Sequence, residues 1–179
     1  VVAHQAIHSD EVVAEDRVRR ARAARHLVFG MDGVLRGPGF SKSQRAMLKN
    51  AEELCRQISH NGRPLIEETN AQVRLARTAA NLMVSDMLTF RAQWASAEKK
   101  PNFAYGPMAK MFSSEKFQSD ARDLLDLTAP WSLADREGPA GALNMAYRHS
   151  QGTTIYGGTS EVHRSMIAER GLNLPRTRA

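Results

Sequence analysis

Residues 73–94 read VRLARTAANLMVSDMLTFRAQW, and the reading of this stretch decides the fold. Val73, Ala76, Ala80, Met83, Met87, Phe90 and Trp94 recur at alternating steps of three and four, the spacing that returns side chains to one helical face. No glycine or proline interrupts the run, so it predicts one long helix of about six turns. A continuous stripe of methionine and aromatic side chains needs a surface to cover it, either a bundle core or a subunit interface. Glu98-Lys99-Lys100-Pro101 closes the helix, because proline cannot continue the hydrogen-bond ladder.

The flanking segments have the same period. Upstream, Ser41 is the expected N-cap of a helix over 42–59, with Met47, Leu48, Ala51, Leu54, Cys55 and Ile58 on its apolar face. Asn61-Gly62 ends that helix, with Pro64 just beyond. Downstream, residues 102–106 are expected as a loop and Pro107 suits a first helical turn. Met108, Met111, Phe112, Phe117, Ala121, Leu124 and Leu125 then mark a helix to Leu127, stopped by Thr128-Ala129-Pro130. Residues 131–152 are mixed, with a short helix over 140–148.

Tyr156-Gly157-Gly158 is a turn, since adjacent glycines reach left-handed backbone freely. It runs into Thr159-Ser160-Glu161, an N-cap with an acidic first turn, which starts a helix over 160–170. Such a helix start offers N–H groups to an anion such as a phosphate. Gly171 is expected as the C′ residue of that helix. No strand pattern of comparable strength and no internal repeat appears. The chain therefore reads as all-α, an antiparallel up-and-down helical bundle. Residues 10–29 also suit a helix, and Gly30, Gly33, Gly37, Pro38 and Gly39 make residues 30–40 a linker. The division expected is an N-terminal segment, 1–40, and a helical domain, 41–179.

Composition narrows the class. The 179 residues are 42% hydrophobic and 6% aromatic, enough for one domain with a core. No apolar run is long enough to cross a membrane, and VVAHQAIHSDEVV lacks the features of a signal peptide. The chain starts at Val1, which fits a fragment, an excised domain or a proteolysed product. One cysteine, Cys55, excludes an internal disulfide, fits a reducing cytoplasm, and sits in a helical pattern as a packing residue. The net charge is +6, much of it from Arg17, Arg19, Arg20, Arg22 and Arg25. That cluster has no interleaved aromatics and no nucleic-acid-binding motif. A solvated helix face or an acidic partner accounts for it better, and a nucleic-acid binder is the weakest reading. No histidines pair with carboxylates at metal-ligand spacing, so no metal is assigned.

The terminal segment IYGGTSEVHR, residues 155–164, followed by MIAERGLNLP, residues 166–175, resembles the C-terminal signature of the acyl-CoA dehydrogenase family, YGGTSEIQR...IAERxLGLPR. Further segments are similar in order and spacing. Gly62-Arg63-Pro64-Leu65 resembles the family's FGxPL. Residues 88–94 resemble its LxYRAAW helix, and residues 107–115 its SMAKLFASE helix. The resemblance spans residues 42–175 and implies the family's C-terminal four-helix domain. Complete members also carry an N-terminal helical domain and a middle β-domain.

The family uses FAD to form a 2,3-double bond in an acyl-CoA thioester, with a carboxylate removing the α-proton and the β-hydrogen leaving as hydride. The resemblance therefore implies FAD as cofactor, an acyl-CoA substrate, and a homo- or hetero-oligomer, dimer or tetramer, built through the bundle. It implies that Thr159, Glu161 and Gly158 meet the cofactor in its ribose or pyrophosphate region, and that Tyr156 and Gly157 line the acyl site. A carboxylate beside a phosphate is unfavourable, so the Glu161 backbone N–H is expected to matter more than its side chain.

The departures from the family pattern bear on catalysis. One branch carries its base directly after the signature tyrosine, where this chain has Gly157. Other branches place it in a Glu-Arg pair before FGxPL. The corresponding region here holds Asp32 but no such pair, and Asp16-Arg17 lies further back. The base is unassigned, with Asp32 and Asp16 as weak candidates. The family's Arg-x-x-Phe-Gly, whose Arg reaches a neighbouring subunit's flavin, reads Ile58-Ser59-His60-Asn61-Gly62, and a flavin-facing Gly-Gly turn reads Thr128-Ala129-Pro130. His60 and His163 are expected near loop or helix surfaces; His163 stands where the signature has Gln, in a surface position or in a hydrogen bond next to the cap. These changes suit a divergent bacterial branch, some of whose members form two-gene heterotetramers acting on sterol-derived CoA thioesters. A non-catalytic structural subunit is the rival reading.

Overall fold

The computed structural model describes residues 38–100, 102–134 and 137–176. The arginine cluster, the expected helix over 10–29, most of the linker, Asp16 and Asp32 lie outside the described residues. Among those described, six helices dominate: α1 Pro38–Gln57, α2 Thr69–Ala97, α3 Tyr105–Leu127, α4 Trp131–Ala134, α5 Gly138–Thr153 and α6 Ser160–Gly171. Consecutive helices are joined by connections of three to eleven residues. The α2–α3 hairpin is the largest contact, α5 lies across α1 and α3, and α6 lies on α3. The all-α bundle expected from the sequence is the fold observed.

One core runs through the bundle. Met47, Ala51, Leu54, Cys55 and Ile58 of α1 and its end meet Leu75 of α2, Phe117, Ala121 and Leu124 of α3, and Ala140 and Leu143 of α5. Phe117 is fully buried at its centre, and its truncation to alanine costs about 3–5 kcal/mol. Cys55 is buried as expected, and burial pushes its thiol up to about 11, which makes it inert. Asp120 of α3 is buried against Asn81 of α2, whose Nδ2 donates to it at 2.9 Å. Burial pushes its carboxyl up to about 6.

Several boundaries differ from the sequence reading, each for a local reason. Helix α1 begins at Pro38, inside the expected linker, so Ser41 is buried within the helix and is not its N-cap. It ends at Gln57, and Asn61-Gly62 does more than stop it. Asn61 (φ 52°) and Gly62 (φ 79°) form the tight turn of a two-residue hairpin pairing β1 Ser59–His60 with β2 Arg63–Pro64. Consecutive left-handed residues give the twist a hairpin needs, which Asn-Gly supplies. Helix α3 starts two residues before Pro107, α4 was not expected, and α5 starts two residues before 140 and runs five past 148.

The end of α2 is capped without glycine or proline. Lys99 adopts φ 52°, its N–H reaches Ser96 O at 3.3 Å, and Lys100 N–H reaches Ala95 O at 2.9 Å. This is a Schellman closure with lysine at C′. In α6, the C′ assignment to Gly171 does not hold. Gly171 is the last helical residue, and Asn173 (φ 53°) takes the left-handed position. Gly171 serves packing instead, because a Cβ there would lie 2.9 Å from the Ala104 Cβ.

The stripe that opened the sequence reading faces outward. Val73, Met83, Met87, Phe90 and Trp94 are exposed, Met87 by 68% and Phe90 by 69%. The bundle-facing residues of α2 are Ala71, Leu75, Thr78, Leu82, Ser85 and Ala95. Of the two coverings expected for the stripe, the core formed by the described residues does not supply one. The inward face escaped notice because it is small and partly polar: Ser85 Oγ satisfies itself on Asn81 O at 2.9 Å.

Candidate functional site

The site is the turn between α5 and α6. Ile155 N–H and Tyr156 N–H both bond Gly152 O, at 3.0 and 3.1 Å, wrapping the chain around the end of α5. Gly157 (φ 74°) and Gly158 (φ 96°) then take the chain through two left-handed residues in succession. Glycine does this at the least backbone cost, and position 157 carries no carboxylate. Ser160 N–H closes the turn on Thr154 O at 3.2 Å.

Both glycine carbonyls are held from inside the bundle. Lys110 of α3 donates its Nζ to Gly158 O at 2.6 Å. His163 of α6 places Nε2 3.0 Å from Gly157 O. A carbonyl only accepts, so Nε2 carries the proton. His163 is 5% exposed and Lys110 7%. The surface position expected for His163 is therefore wrong, whereas its hydrogen bond next to the cap is present. Burial pulls the His163 pKa below its ordinary value, the Gly157 hydrogen bond opposes this, and nearby Lys110 adds to it. Burial likewise lowers the Lys110 pKa, against the pull of Glu115 and Glu161. Among the described residues, His163 Nδ1 and Ser160 Oγ are buried without a hydrogen-bond partner.

Thr159 is the N-cap of α6, with extended backbone and its Oγ1 accepting Val162 N–H at 3.4 Å. Glu161 sits exposed in the first turn. Hydrogen bonds from its own backbone N–H and from Thr159, then Arg164 and Lys110, hold its carboxyl below the usual carboxylate range. Glu161 thus carries a full negative charge at the helix start, beside its own backbone N–H. Arg164 ties the helix start to α3, lying 2.5 Å from Glu115 Oε1 and 3.8 Å from Glu161 Oε1.

Tyr156 turns back across α5. Its hydroxyl lies 3.1 Å from His149 Nε2, and its ring stacks on Phe40 and His149 at centroid distances of 6.1 and 6.4 Å. His149 in turn meets Phe117 edge-on, so the row reaches the core. Burial raises the Tyr156 pKa, and its hydroxyl stays protonated.

The turn therefore brings together Tyr156, Gly157, Gly158, Thr159 and Glu161, the five residues expected there. The sequence did not single out Lys110, His149 or Phe40. Lys110 left a signal: it lies in step with Pro107, Ser114, Phe117, Ala121 and Leu124, a cation on the buried face of α3.

The electrostatics bear on which part of the cofactor implied by the resemblance would suit this turn. An anionic Glu161 across the helix start repels a phosphate and accepts hydrogen bonds from hydroxyls. The residues present fit a ribose or ribityl hydroxyl better than a pyrophosphate. No group of His, Cys, Asp or Glu among the described residues could hold a metal ion. No described helix is long and apolar enough to cross a membrane.

Comparison with known proteins agrees with this architecture. The model of the acyl-CoA dehydrogenase C-terminal domain matches residues 41–172. The mitochondrial short-chain specific acyl-CoA dehydrogenase of Rattus norvegicus is 34% identical over 107 residues, covering 60% of this chain and 25% of that protein. The acyl-CoA dehydrogenase from Geobacillus kaustophilus shares the fold with a TM-score of 0.71 at 21% identity, over 79% of this chain and 36% of that one. The ChsE4-ChsE5 complex from Mycobacterium tuberculosis does so with a TM-score of 0.68 at 24% identity, over 77% of this chain and 36% of that one. The chain spans about a quarter of the length of the Rattus norvegicus relative. On the match over residues 41–172, the chain belongs to the acyl-CoA dehydrogenase family, as its C-terminal helical domain.

Proposed function

We propose that this chain is the FAD-associated part of an acyl-CoA dehydrogenase-like flavoprotein that forms 2,3-double bonds in acyl-CoA thioesters, and that it is incomplete as an isolated chain. When bound, the flavin supplies the hydride acceptor. The chain's own contribution is positional. The turn at Gly157–Gly158 presents Thr159 and Glu161 to the cofactor's hydroxyl-bearing region, and Tyr156 to the acyl side. The observation that carries this reading is the double left-handed glycine turn running into a side-chain-capped helix. Nothing at position 157 removes a proton, so the base comes from another segment or chain. A cytoplasmic setting and a fatty acyl or steroid-derived CoA thioester suit the single buried cysteine and the family.

The exposed face of α2 supports assembly through the bundle. Five large apolar side chains on one helix, Val73, Met83, Met87, Phe90 and Trp94, form a patch of the kind covered by another chain. A non-catalytic structural subunit of a heteromeric enzyme is the second reading, favoured by Gly157 in place of a base. The ChsE4-ChsE5 neighbour is a complex of two differently named chains.

The test is purification of the natural full-length product, alone and with any co-encoded partner, followed by mixing with acyl-CoA. A flavin band that bleaches with the protein alone is expected from a dehydrogenase. A colourless protein that acquires flavin only with a partner chain favours the subunit reading. Failure to acquire flavin in either state sinks both.

A further inference from the structure

We propose that Lys110 and His163 are positioning residues of the Gly157–Gly158 turn, holding both of its carbonyls inward and so fixing the edge it presents to the cofactor. The inference rests on the reading that this turn meets a flavin. Two successive glycines have wide conformational freedom, so a ligand would otherwise select one state from many. Here each carbonyl has its own pin, from a different helix: Lys110 Nζ on Gly158 O at 2.6 Å and His163 Nε2 on Gly157 O at 3.0 Å.

Packing alone does not account for either side chain. Lys110 occupies the inward stripe of α3 between Pro107 and Ser114, where an apolar residue would bury at no desolvation cost. Its ammonium is buried against the turn, with Glu115 and Glu161 as the nearby countercharges. His163 packs closely on position 158: a Cβ on Gly158 would come 3.0 Å from its Nε2, so the ring would have to give way. The glycine, the imidazole and the ammonium form one interlocked unit. The same unit sets the N-cap, because Thr159 follows Gly158 directly and its carbonyl accepts His163 N–H at 3.0 Å.

The experiment reads the pins separately from the cofactor. Backbone carbonyl chemical shifts of Gly157 and Gly158 are measured by NMR on the full chain. Flavin affinity is measured on the same variants assembled as the wild type requires. Lys110→Met is expected to move the Gly158 carbonyl resonance and His163→Leu the Gly157 resonance. Lys110→Arg and His163→Gln, which keep a donor in place, retain both. In the assembled protein the first two variants weaken flavin binding about tenfold or more, and the conservative pair stays within about twofold. Unmoved carbonyl resonances in Lys110→Met and His163→Leu overturn the proposal, as do moved resonances with unaltered flavin affinity. A wild-type assembly that takes up no flavin sinks the flavin reading, and the carbonyl resonances then decide the clamp alone.

Discussion

Lys110 and Gly158 lie 48 positions apart in sequence and are joined by a 2.6 Å hydrogen bond from a buried ammonium to a turn carbonyl. That bond connects the longest hairpin of the bundle to the turn that carries the family's signature. It makes the signature turn part of the core rather than a loop lying on it. Strain and packing at the turn are therefore measurable as global stability.

Gly158→Ala is expected to destabilise the chain by about 1–3 kcal/mol, since it combines a left-handed backbone with a 3.0 Å approach to His163 Nε2. Gly106→Ala is the control. It lies in the first turn of α3 with nothing within 4 Å of the added Cβ, and should be neutral or stabilising by up to about 1 kcal/mol. Denaturant melts of the two variants give the comparison.

Gly171→Ala should cost about 1–3 kcal/mol through overpacking, since its Cβ would lie 2.9 Å from the Ala104 Cβ. Ala104→Gly in the same chain should recover part of that loss. If Gly171 were instead needed for a left-handed C′ conformation, Ala104→Gly would recover nothing. A double-mutant cycle on thermal or denaturant stability separates the two.

The stability contributed by His163 should fall as the solution is acidified through the imidazole range, opposite in sign to that of Asp120, whose carboxyl folding raises to about 6. The folded His163 pKa lies below its ordinary value of 6.5, so the folded state binds fewer protons than the unfolded one. The contribution is complete above 6.5 and is lost as pH drops from there toward the folded value. His163→Gln removes this component of the pH dependence while keeping a donor for Gly157 O. Thermal melts across that range, wild type against variant, check the sign.

The outward face of α2 predicts self-association or capture of a related chain. Sedimentation of the full chain is expected to show at least a dimer. Met83→Lys together with Met87→Lys should shift it toward monomer without loss of helical content, because both residues are exposed in the single chain. A wild type that is monomeric at all concentrations removes this face as a self-contact.

Fold class was legible because apolar periodicity in α1, α2 and α3 is strong and uninterrupted. What that periodicity left open was direction, bundle core or subunit interface. In α2 the larger, more hydrophobic side chains point outward, and Leu75, Thr78, Leu82 and Ser85 point inward. A reading weighted by hydropathy chooses the outer face. Asn61-Gly62 was read as a stop and is a hairpin turn, since two strand residues on each side are too few to show alternation. At the site, glycine pairing and capping chemistry located Tyr156 to Glu161. Lys110 stayed hidden because its partner is a backbone carbonyl, which has no sequence identity to pair with. Asp16 and Asp32 lie outside the described residues, and the base remains unassigned.

The central claim is that the segment from Ile155 to Val162 faces the flavin. Its most direct test is amide hydrogen exchange of the assembled protein with and without FAD. The account predicts that FAD slows exchange at residues 155–162, with the largest change around Thr159 to Glu161. Flavin taken up by the protein with no change in exchange across this segment would contradict it.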